Sequence, residues 1–153
     1  RVRTGIAVRA GDAVPGIGDA DALSLALVAA TAIYLPDSQR ATAGIHFVDV
    51  MKRLGIHADV ESRLRPYPNG AAAMHELAQA TDAGCIGCTQ ITEILYTPGV
   101  TLVGPLPVGF ELATVYSIAV CTRARHPELA RKFAALIAGP DSRALRAQGG
   151  FDA

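Results

Sequence analysis

Short apolar runs of strand length alternate with helical patterns along most of the chain. The strand-like runs are residues 5–10, 31–35, 60–66, 85–88, 100–103 and 112–121. The helical patterns are residues 19–30, 42–54, 69–80, 89–95, 127–139 and 140–149. Regular alternation of strands and helices predicts an α/β fold with a mostly parallel sheet flanked by helices.

The composition is compatible with a packed core and disfavours two classes of partner. Half of the 153 residues are hydrophobic, which is enough to bury a sizeable core. Lys and Arg equal Asp and Glu at 14 each, and no basic stripe is visible, so a nucleic-acid partner has no electrostatic support. The longest apolar run, residues 23–33, is interrupted by Ser24 and Thr31 and is too short to span a membrane.

The first residue is Arg1 rather than Met, and no signal-peptide pattern follows it. We expect this start to be a cut end, produced by removal of a leader or by the absence of a larger N-terminal part. Removal of a leader would place the protein in the periplasm or outside the cell. Otherwise we expect it in the cytoplasm.

Two strand-to-helix junctions are candidate anion-binding sites, because ligands of α/β sheets bind where strands end and helices begin. Thr42 is expected to be the N-cap of one helix. The small residues Ala43 and Gly44 follow it, so the backbone N–H groups of the first turn would stay accessible. Thr89 and Gln90 occupy the second junction. An ordinary capped helix that binds nothing is the alternative interpretation.

Seven short motifs occur in order along nearly the whole chain. They are GIAVRAG at 5–11, ATAGIHF at 41–47 with LGI at 54–56, IGCTQITEI at 86–94, GV at 99–100, VGPLP at 103–107, TVYSIAV at 114–120, and HPELARKF at 126–133 with GP at 139–140. Together they resemble the type 2 periplasmic solute-binding proteins, in particular the molybdate-binding branch. The set is specific for the fold and less specific for the ligand.

The resemblance implies a particular division of the chain. Proteins of this kind have two three-layer α/β lobes with the ligand in the cleft between them. Residues 1–112 would form the second lobe, and residues 113–153 the hinge-return strand and two C-terminal helices of an otherwise absent first lobe. The apolar faces of these helices would then need a cover, namely this lobe, a separate polypeptide or, as we expect, a second copy in a homodimer. These faces carry Leu129, Phe133, Leu136, Ile137 and Leu145.

The resemblance also implies a set of ligand contacts. By position they are Thr42, Ala43, Gly44, Thr89, Gln90 and Tyr116. Backbone N–H groups, hydroxyls and an amide are neutral donors, which suit an oxyanion when several of them converge. The alternatives are structural: Thr89 would be a simple N-cap, and Tyr116 a half-buried strand residue whose hydroxyl is already bonded.

The function that the resemblance implies is that of a substrate-binding component of an ABC-type importer. It would bind a small oxyanion of the molybdate or tungstate kind, or a small organic anion, and its other partner would be the permease. An enzyme on the same scaffold is the first alternative, an isomerase or lyase of a small acid with Glu93, Tyr116 and the cysteines as acid/base groups. The effector-sensing domain of a regulator is the second.

The cysteines and histidines predict neither a metal site nor a cofactor. Cys85 and Cys88 have the spacing of a redox or zinc motif, but no second Cys or His pair stands at metal-binding spacing. The positions that match them in the family lie on a strand, where residues three apart face opposite sides. We therefore expect structural cysteines. His46, His57, His75 and His126 form no pair four residues apart, and no nucleophile elbow or carboxylate pair is present.

Overall fold

The computed structural model describes residues 1–152 and shows an α/β arrangement. The strands are β1 Val2–Arg9, β2 Ile33–Pro36, β3 Leu64–Tyr67, β4 Ile86–Gln90, β5 Val100–Pro105 and β6 Ala113–Thr114. The α-helices are α1 Ala20–Ala29, α2 Thr42–Arg53, α3 His57–Val60, α4 Gly70–Gln79, α5 Ile91–Tyr96, α6 Pro127–Ala138 and α7 Arg143–Gln148. Two 3₁₀ turns, Glu61–Arg63 and Pro140–Ser142, complete the assignment.

The strands form one sheet in the order β3-β2-β4-β1-β5, and β6 extends it by pairing with the start of β1. β2 runs parallel to β3 and β4, whereas β1 runs antiparallel to both β4 and β5. Four of these five strands therefore share one direction. The predicted mostly parallel sheet is confirmed, with β1 as the reversed strand between two of the others.

Apolar side chains cover both faces of the sheet and separate into two core clusters. The first cluster joins β1, β2 and β4 to α1, α2 and α3, with Leu23, Phe47 and Met51 among its buried members. The second lies on the opposite face, where Met74 and Leu77 of α4 pack with Ile94 of α5. Helices on both faces give the three layers that the resemblance implies. The strand residues alternate between the clusters, as the two-residue period of a strand requires.

The helix starts at Asp19 and Asn69 follow the capping rules. The Asp19 carboxylate accepts from the backbone N–H of Ala22 at 2.8 Å, and the Asn69 side chain accepts from that of Ala72 at 2.9 Å. Each side chain thereby satisfies a donor that the first turn of its helix leaves unpaired. The predicted starts of α1 and α4 are therefore confirmed.

The predicted strand over residues 60–66 is wrong in its first half. Val60 ends the short helix α3 and is buried in the first core cluster, and a 3₁₀ turn follows before β3 begins at Leu64. The guanidinium of Arg63 donates to the carbonyl oxygens of Val28 at 2.8 Å and Asp59 at 3.0 Å. The bond to Val28 attaches the turn to the end of α1, a long-range contact that the local alternation does not encode.

The predicted strand over residues 112–121 is also wrong for most of its length. Only Ala113–Thr114 pairs, with Val2 and Arg3 of β1. The residues that follow have no regular structure, and Val115 and Ile118 are exposed. Their alternation is strand-like, but within residues 1–152 no neighbouring strand continues the ladder beside them. An extended segment joins a sheet only where its backbone N–H and C=O groups pair with those of a neighbouring strand.

The C-terminal helices lie outside the core. The two core clusters contain residues from Ile6 to Phe110 only, and α6 and α7 have no buried residue. The chain returns to the sheet after α7, where Phe151 bridges to Val2 and the Asp152 N–H donates to the Arg1 carbonyl oxygen at 2.8 Å. The apolar C-terminal surface of α6 and α7 is exposed to solvent, at Leu129, Phe133, Leu136, Ile137 and Leu145. The division into lobes at residue 112 stays a prediction.

Candidate functional site

Five of the six predicted ligand contacts line one small pocket of about 190 Å³, which we call the helix-start pocket. It lies at the carboxyl ends of β2 and β4, where α2, α4 and α5 begin. Its lining residues are Pro36, Ala41, Thr42, Ala43, Asn69, Gly70, Thr89, Gln90, Glu93 and Tyr116. The two junctions that the sequence indicated separately are therefore brought together at one edge of the sheet, as the rule for parallel strands requires.

The start of α2 carries no side-chain cap. Ala41 is the N-cap residue and Thr42 is already helical, so the predicted capping role of Thr42 is wrong. The Ile45 N–H is bonded to the Ala41 carbonyl oxygen at 2.9 Å, whereas the N–H groups of Thr42, Ala43 and Gly44 find no protein acceptor within residues 1–152. In α1 and α4 a cap side chain pairs one N–H of the first turn, whereas α2 has no such cap, so its start offers free donors and the positive end of its dipole at the pocket.

Gly44 is the one predicted contact that does not line the pocket. It is buried beneath the end of β2, and a Cβ atom on it would lie 2.3 Å from the Pro36 carbonyl oxygen and 2.4 Å from that of Asp37. No side chain fits at such distances. Glycine therefore allows α2 to begin directly against the chain that leaves β2, which positions Thr42 and Ala43 at the pocket.

Thr89 lies on β4 and not at a helix start, because α5 begins only at Ile91 and its N-cap residue is Gln90. The alternative interpretation of Thr89 as a simple N-cap is therefore wrong. Its buried hydroxyl instead donates to the Glu93 carboxylate, with 2.5 Å between Oγ1 and Oε2. α4 approaches this pair closely, because a Cβ atom on Gly70 would lie 1.9 Å from the Thr89 hydroxyl oxygen and 2.2 Å from the carboxylate oxygen.

Gln90 and Tyr116 form the other polar wall of the pocket. The Tyr116 hydroxyl donates to Gln90 Oε1 at 2.5 Å, and Gln90 Nε2 donates to the Thr114 hydroxyl at 3.1 Å. The Tyr116 ring also meets the Phe151 ring edge to face, with centroids 5.8 Å apart. Two elements that are distant in sequence, β6 and the C-terminal return, thus hold Tyr116 across from β4.

The charges of the pocket are unevenly placed. Glu93 is the single carboxylate among its lining residues, and these include no Lys or Arg. Arg40 lines a neighbouring cavity of about 580 Å³ with Asp37 and Tyr67. A third cavity of about 530 Å³ lies between α5 and α7 and is mostly apolar, and Glu93 contributes to its wall as well.

Asn69, Gly70 and Glu93 are absent from the predicted set of ligand contacts. Glu93 was indicated only as an acid/base candidate for an enzyme. A signal was present, because Thr89 and Glu93 are four residues apart across a strand-to-helix junction, where a hydroxyl and a carboxylate can meet. Asn69 directly precedes α4, and its residue type at this position is typical of an N-cap. Its place beside α2 depends on the parallel pairing of β2 with β3, which local sequence does not reveal.

Cys85 and Cys88 point to opposite faces of β4, as the strand period predicts. Cys88 belongs to the first core cluster and Cys85 to the second, and both thiols are free. Burial raises the pKa of the Cys88 thiol well above its usual value, because the thiolate would lose its hydration. Within residues 1–152, no three His, Cys, Asp or Glu side chains are grouped closely enough to hold a metal ion.

The family described as Bacterial extracellular solute-binding protein matches residues 2–152, which is almost the whole chain. This chain belongs to that family. Both the three-layer fold and the pocket at the helix starts are consistent with a solute-binding protein. The helices within residues 1–152 are all too short or too polar to cross a membrane.

Two solved solute-binding structures share the fold of this one. One is described as the substrate-binding domain of a candidate molybdenum ABC transporter from Clostridium difficile, with a TM-score of 0.68, 11% identity and coverage of 98% of this chain and 62% of that one. The other is the periplasmic molybdate-binding protein of Azotobacter vinelandii, with a TM-score of 0.65, 16% identity and coverage of 99% and 66%. The molybdate-binding-like, type 2 periplasmic fold is thereby confirmed.

A relative with an enzyme name also matches. It is an aconitate isomerase from a Pseudomonas species, 28% identical over 141 residues, which are 90% of this chain and 50% of the relative. This solute-binding chain therefore spans about half the length of that relative and under two thirds of the length of the two solved structures.

Proposed function

We propose that this solute-binding protein holds a small anion in the helix-start pocket and delivers it to an ABC-type importer. The observation that carries the proposal is the convergence of five predicted contacts on the uncapped start of α2. The anion is an oxyanion of the molybdate or tungstate kind, or a small organic acid. The names of the two structural neighbours support an oxyanion, and the name of the isomerase relative supports an organic acid.

The pocket favours a small ligand that is recognised by neutral donors. Its volume of about 190 Å³ is below the range of about 300 to 1,000 Å³ that is usual for drug-sized ligands. A negative group at an open helix start gains about 0.3 to 1 kcal/mol from the dipole, in addition to its hydrogen bonds with the N–H groups. The side chains of Thr42 and Gln90 add a hydroxyl and an amide beside these donors.

The proposed setting is the periplasm, with an ABC permease as the protein partner. The family description places its members outside the bacterial cell membrane, and the structural neighbours are named as a transporter domain and a periplasmic protein. In this proposal, the helix-start pocket is one wall of an interlobe cleft. A closing lobe would supply the facing wall.

Calorimetry tests the binding proposal. The titrants are molybdate, tungstate, sulfate and small mono- and dicarboxylates. At least one should bind, and the Thr42→Tyr variant should bind it at least tenfold more weakly, because the ring would occupy the pocket. Asp49→Tyr is the matched control, since Asp49 is exposed on the same helix and does not line the pocket. Absence of binding by every anion to the folded protein would reject the proposal.

A second candidate function is isomerisation of a small acid. The specific observation is the Glu93 carboxylate inside the pocket, and the 28% identical aconitate isomerase supports it. Glu93 would take a proton from one carbon of the acid and return it to another, which changes no atom count and needs no cofactor. A general base of this kind contributes about 100- to 10,000-fold to a rate.

The two candidates differ in an NMR assay of small unsaturated acids incubated with the protein. An isomerase converts the acid to a second isomer, and Glu93→Gln lowers the rate at least 100-fold while the acid still binds. A binding protein leaves the spectrum unchanged for every acid that calorimetry shows to bind.

A further inference from the structure

We infer that Glu93 makes the helix-start pocket selective for small carboxylic acids that carry their own hydrogen-bond donor, a hydroxyl or an ammonium group, near the carboxylate. Fully ionised oxyanions such as sulfate and molybdate are disfavoured. The inference rests on the proposed binding function and narrows its ligand class.

The first step concerns how firmly the Glu93 carboxylate is held. Oε2 accepts from the buried Thr89 hydroxyl at 2.5 Å, and the glycine that begins α4 lies against the same oxygen. Within residues 1–152, no protein group donates to the second oxygen, Oε1. Glu93 is only half-buried and lines the pocket, so Oε1 is available to accept a hydrogen bond from a ligand.

The second step is an inventory of hydroxyl protons. A hydroxyl donates one hydrogen bond, and those of Thr89 and Tyr116 are already used by Glu93 and by Gln90. The Tyr116 oxygen can therefore offer only lone pairs to a ligand, and the buried Thr89 hydroxyl offers no proton. A ligand beside Glu93 thus meets a carboxylate acceptor and no free hydroxyl proton from these two residues.

The third step concerns the hydrogen-bond donors that the pocket offers to a ligand. The N–H groups at the start of α2 are unpaired, and the Thr42 hydroxyl has no hydrogen-bond partner within residues 1–152. One amide hydrogen of Gln90 is bonded to Thr114, which leaves the second for a ligand. The pocket thus combines free donors, on α2 and Gln90, with the free acceptor oxygen of Glu93.

The fourth step compares ligands. A fully ionised oxyanion can use the donors of α2, but it has no proton to donate to the Glu93 carboxylate and it meets the like charge of Glu93. The lining residues include no Lys or Arg to offset that charge. An acid with a hydroxyl or ammonium group places its carboxylate at α2 and donates to Glu93, which makes a charge-assisted hydrogen bond. Unpaired polar groups left by the wrong ligand are the usual source of strong discrimination.

Two matched series of acids test the inference by calorimetry. Succinate, malate and aspartate share a four-carbon skeleton and differ in a hydrogen, a hydroxyl and an ammonium group, as do propionate, lactate and alanine with three carbons. In at least one series, the hydroxyl or ammonium member should bind at least tenfold more tightly than the unsubstituted acid, sulfate and molybdate. The comparison within that series also shows which of the two donors is preferred.

The Glu93→Gln variant keeps the shape of the side chain and removes its charge. We expect its preference for the donor-bearing acid to fall to less than threefold, and its affinity for sulfate or molybdate to rise at least tenfold. Glu76→Gln is the control, because Glu76 is exposed on α4 and does not line the pocket, and it should leave all affinities unchanged. Thermal melts establish that both variants are folded.

The outcomes separate this inference from the proposed binding function. Binding of sulfate or molybdate by the natural protein as tightly as any hydroxy or amino acid would overturn the inference alone. Unchanged preferences in Glu93→Gln would have the same meaning. Failure of every acid and oxyanion to bind would overturn both.

Discussion

Two glycines determine how closely the helices approach the helix-start pocket. Gly44 allows α2 to begin against the carbonyl oxygens at the end of β2, and Gly70 allows α4 to begin against the Thr89–Glu93 pair. Both positions are buried, and neither requires a positive φ. The missing side chain itself is what matters, because any Cβ atom would occupy space that these atoms already fill.

Gly44→Ala is expected to lower the free energy of unfolding by about 1 to 3 kcal/mol, the usual cost of forcing extra atoms into a packed site. The new Cβ would lie 2.3 Å from the Pro36 carbonyl oxygen, so the backbone would have to shift. Gly16→Ala is the control, since a Cβ there meets nothing within 4 Å, and it should change stability by less than about 0.5 kcal/mol. Urea unfolding measures both, and equal stabilities would contradict the close approach.

The three cysteines are expected to differ sharply in reactivity. Cys121 is exposed, whereas Cys85 and Cys88 are buried, and the raised pKa of Cys88 disfavours its reactive thiolate at neutral pH. A thiol reagent should therefore modify one cysteine rapidly in the folded protein and all three after denaturation. Cys121→Ser should remove the rapid phase. Fast modification of Cys88 in the folded state would contradict the described burial.

The sequence predicted which residues come together better than what each residue does there. The strand-to-helix junctions indicated Thr42, Ala43, Thr89 and Gln90, whereas only the family resemblance indicated Tyr116, and all five line the helix-start pocket. The spacing of Thr89 and Glu93 allowed a contact, but the donor role of Thr89 depends on where α5 begins and thus on where the Glu93 carboxylate lies. The donor role of Tyr116 depends on Gln90 of β4, which is distant in sequence.

At the scale of elements, the C-terminal helix α6 shows the difference between local and long-range information. Its bounds agree with the predicted helix, because Pro127 at the start and Gly139 at the end are strong local signals. Its apolar stripe is nevertheless exposed, with Phe133 63% accessible. Periodicity predicts that a face will be buried, but it does not identify what buries it.

We expect the apolar C-terminal surface to be covered by a second copy of the chain, as predicted from the sequence. Terminal helices can be exchanged between copies at low cost, and an exposed apolar face of this kind favours association. Light scattering should show a dimer. The Phe133→Glu substitution should raise the dissociation constant of this dimer at least tenfold. Lys132→Glu, an exposed neighbour on α6, is the control and should leave the dimer intact.

A different result would contradict this expectation. A soluble monomer whose α6 and α7 amides exchange as fast as those of an unfolded peptide would show that no second copy covers the surface. In the dimer, hydrogen exchange should instead protect both helices, since a covered helix opens less often.

For the molecule as a whole, the sequence predicted that the sheet is mostly parallel, but it did not predict the order of the strands. Alternating strands and helices indicated a mostly parallel sheet, and four of the five strands in the main path obey this. The reversed direction of β1 follows from its position between β4 and β5, which only long-range pairing determines. The apolar centre of β1, residues 5–8, reads the same way in either direction, so the residues of β1 do not reveal its direction.

A ligand that binds only the folded protein should stabilise the whole molecule. At a free concentration of 100 times its Kd, the gain is about 2.7 kcal/mol. For a chain of this size we expect the Tm to rise by about 5 to 10 °C. The Thr42→Tyr variant, which binds at least tenfold more weakly, should show about half of this shift or less at the same concentration, and Asp49→Tyr the full shift. Equal shifts in both variants would place the ligand outside the helix-start pocket.

The central position of β1 also has a consequence for how the protein is made. Gly5 pairs with Thr89 on one side and with Pro105 on the other, so the partners of β1 are synthesised much later than β1 itself. At translation rates of about 5 to 20 residues per second, β1 waits on the order of 5 to 20 seconds without a neighbour. Contacts so distant in sequence also slow folding itself. Substitutions that make β1 more apolar should therefore increase aggregation of the nascent chain before they increase the stability of the folded one.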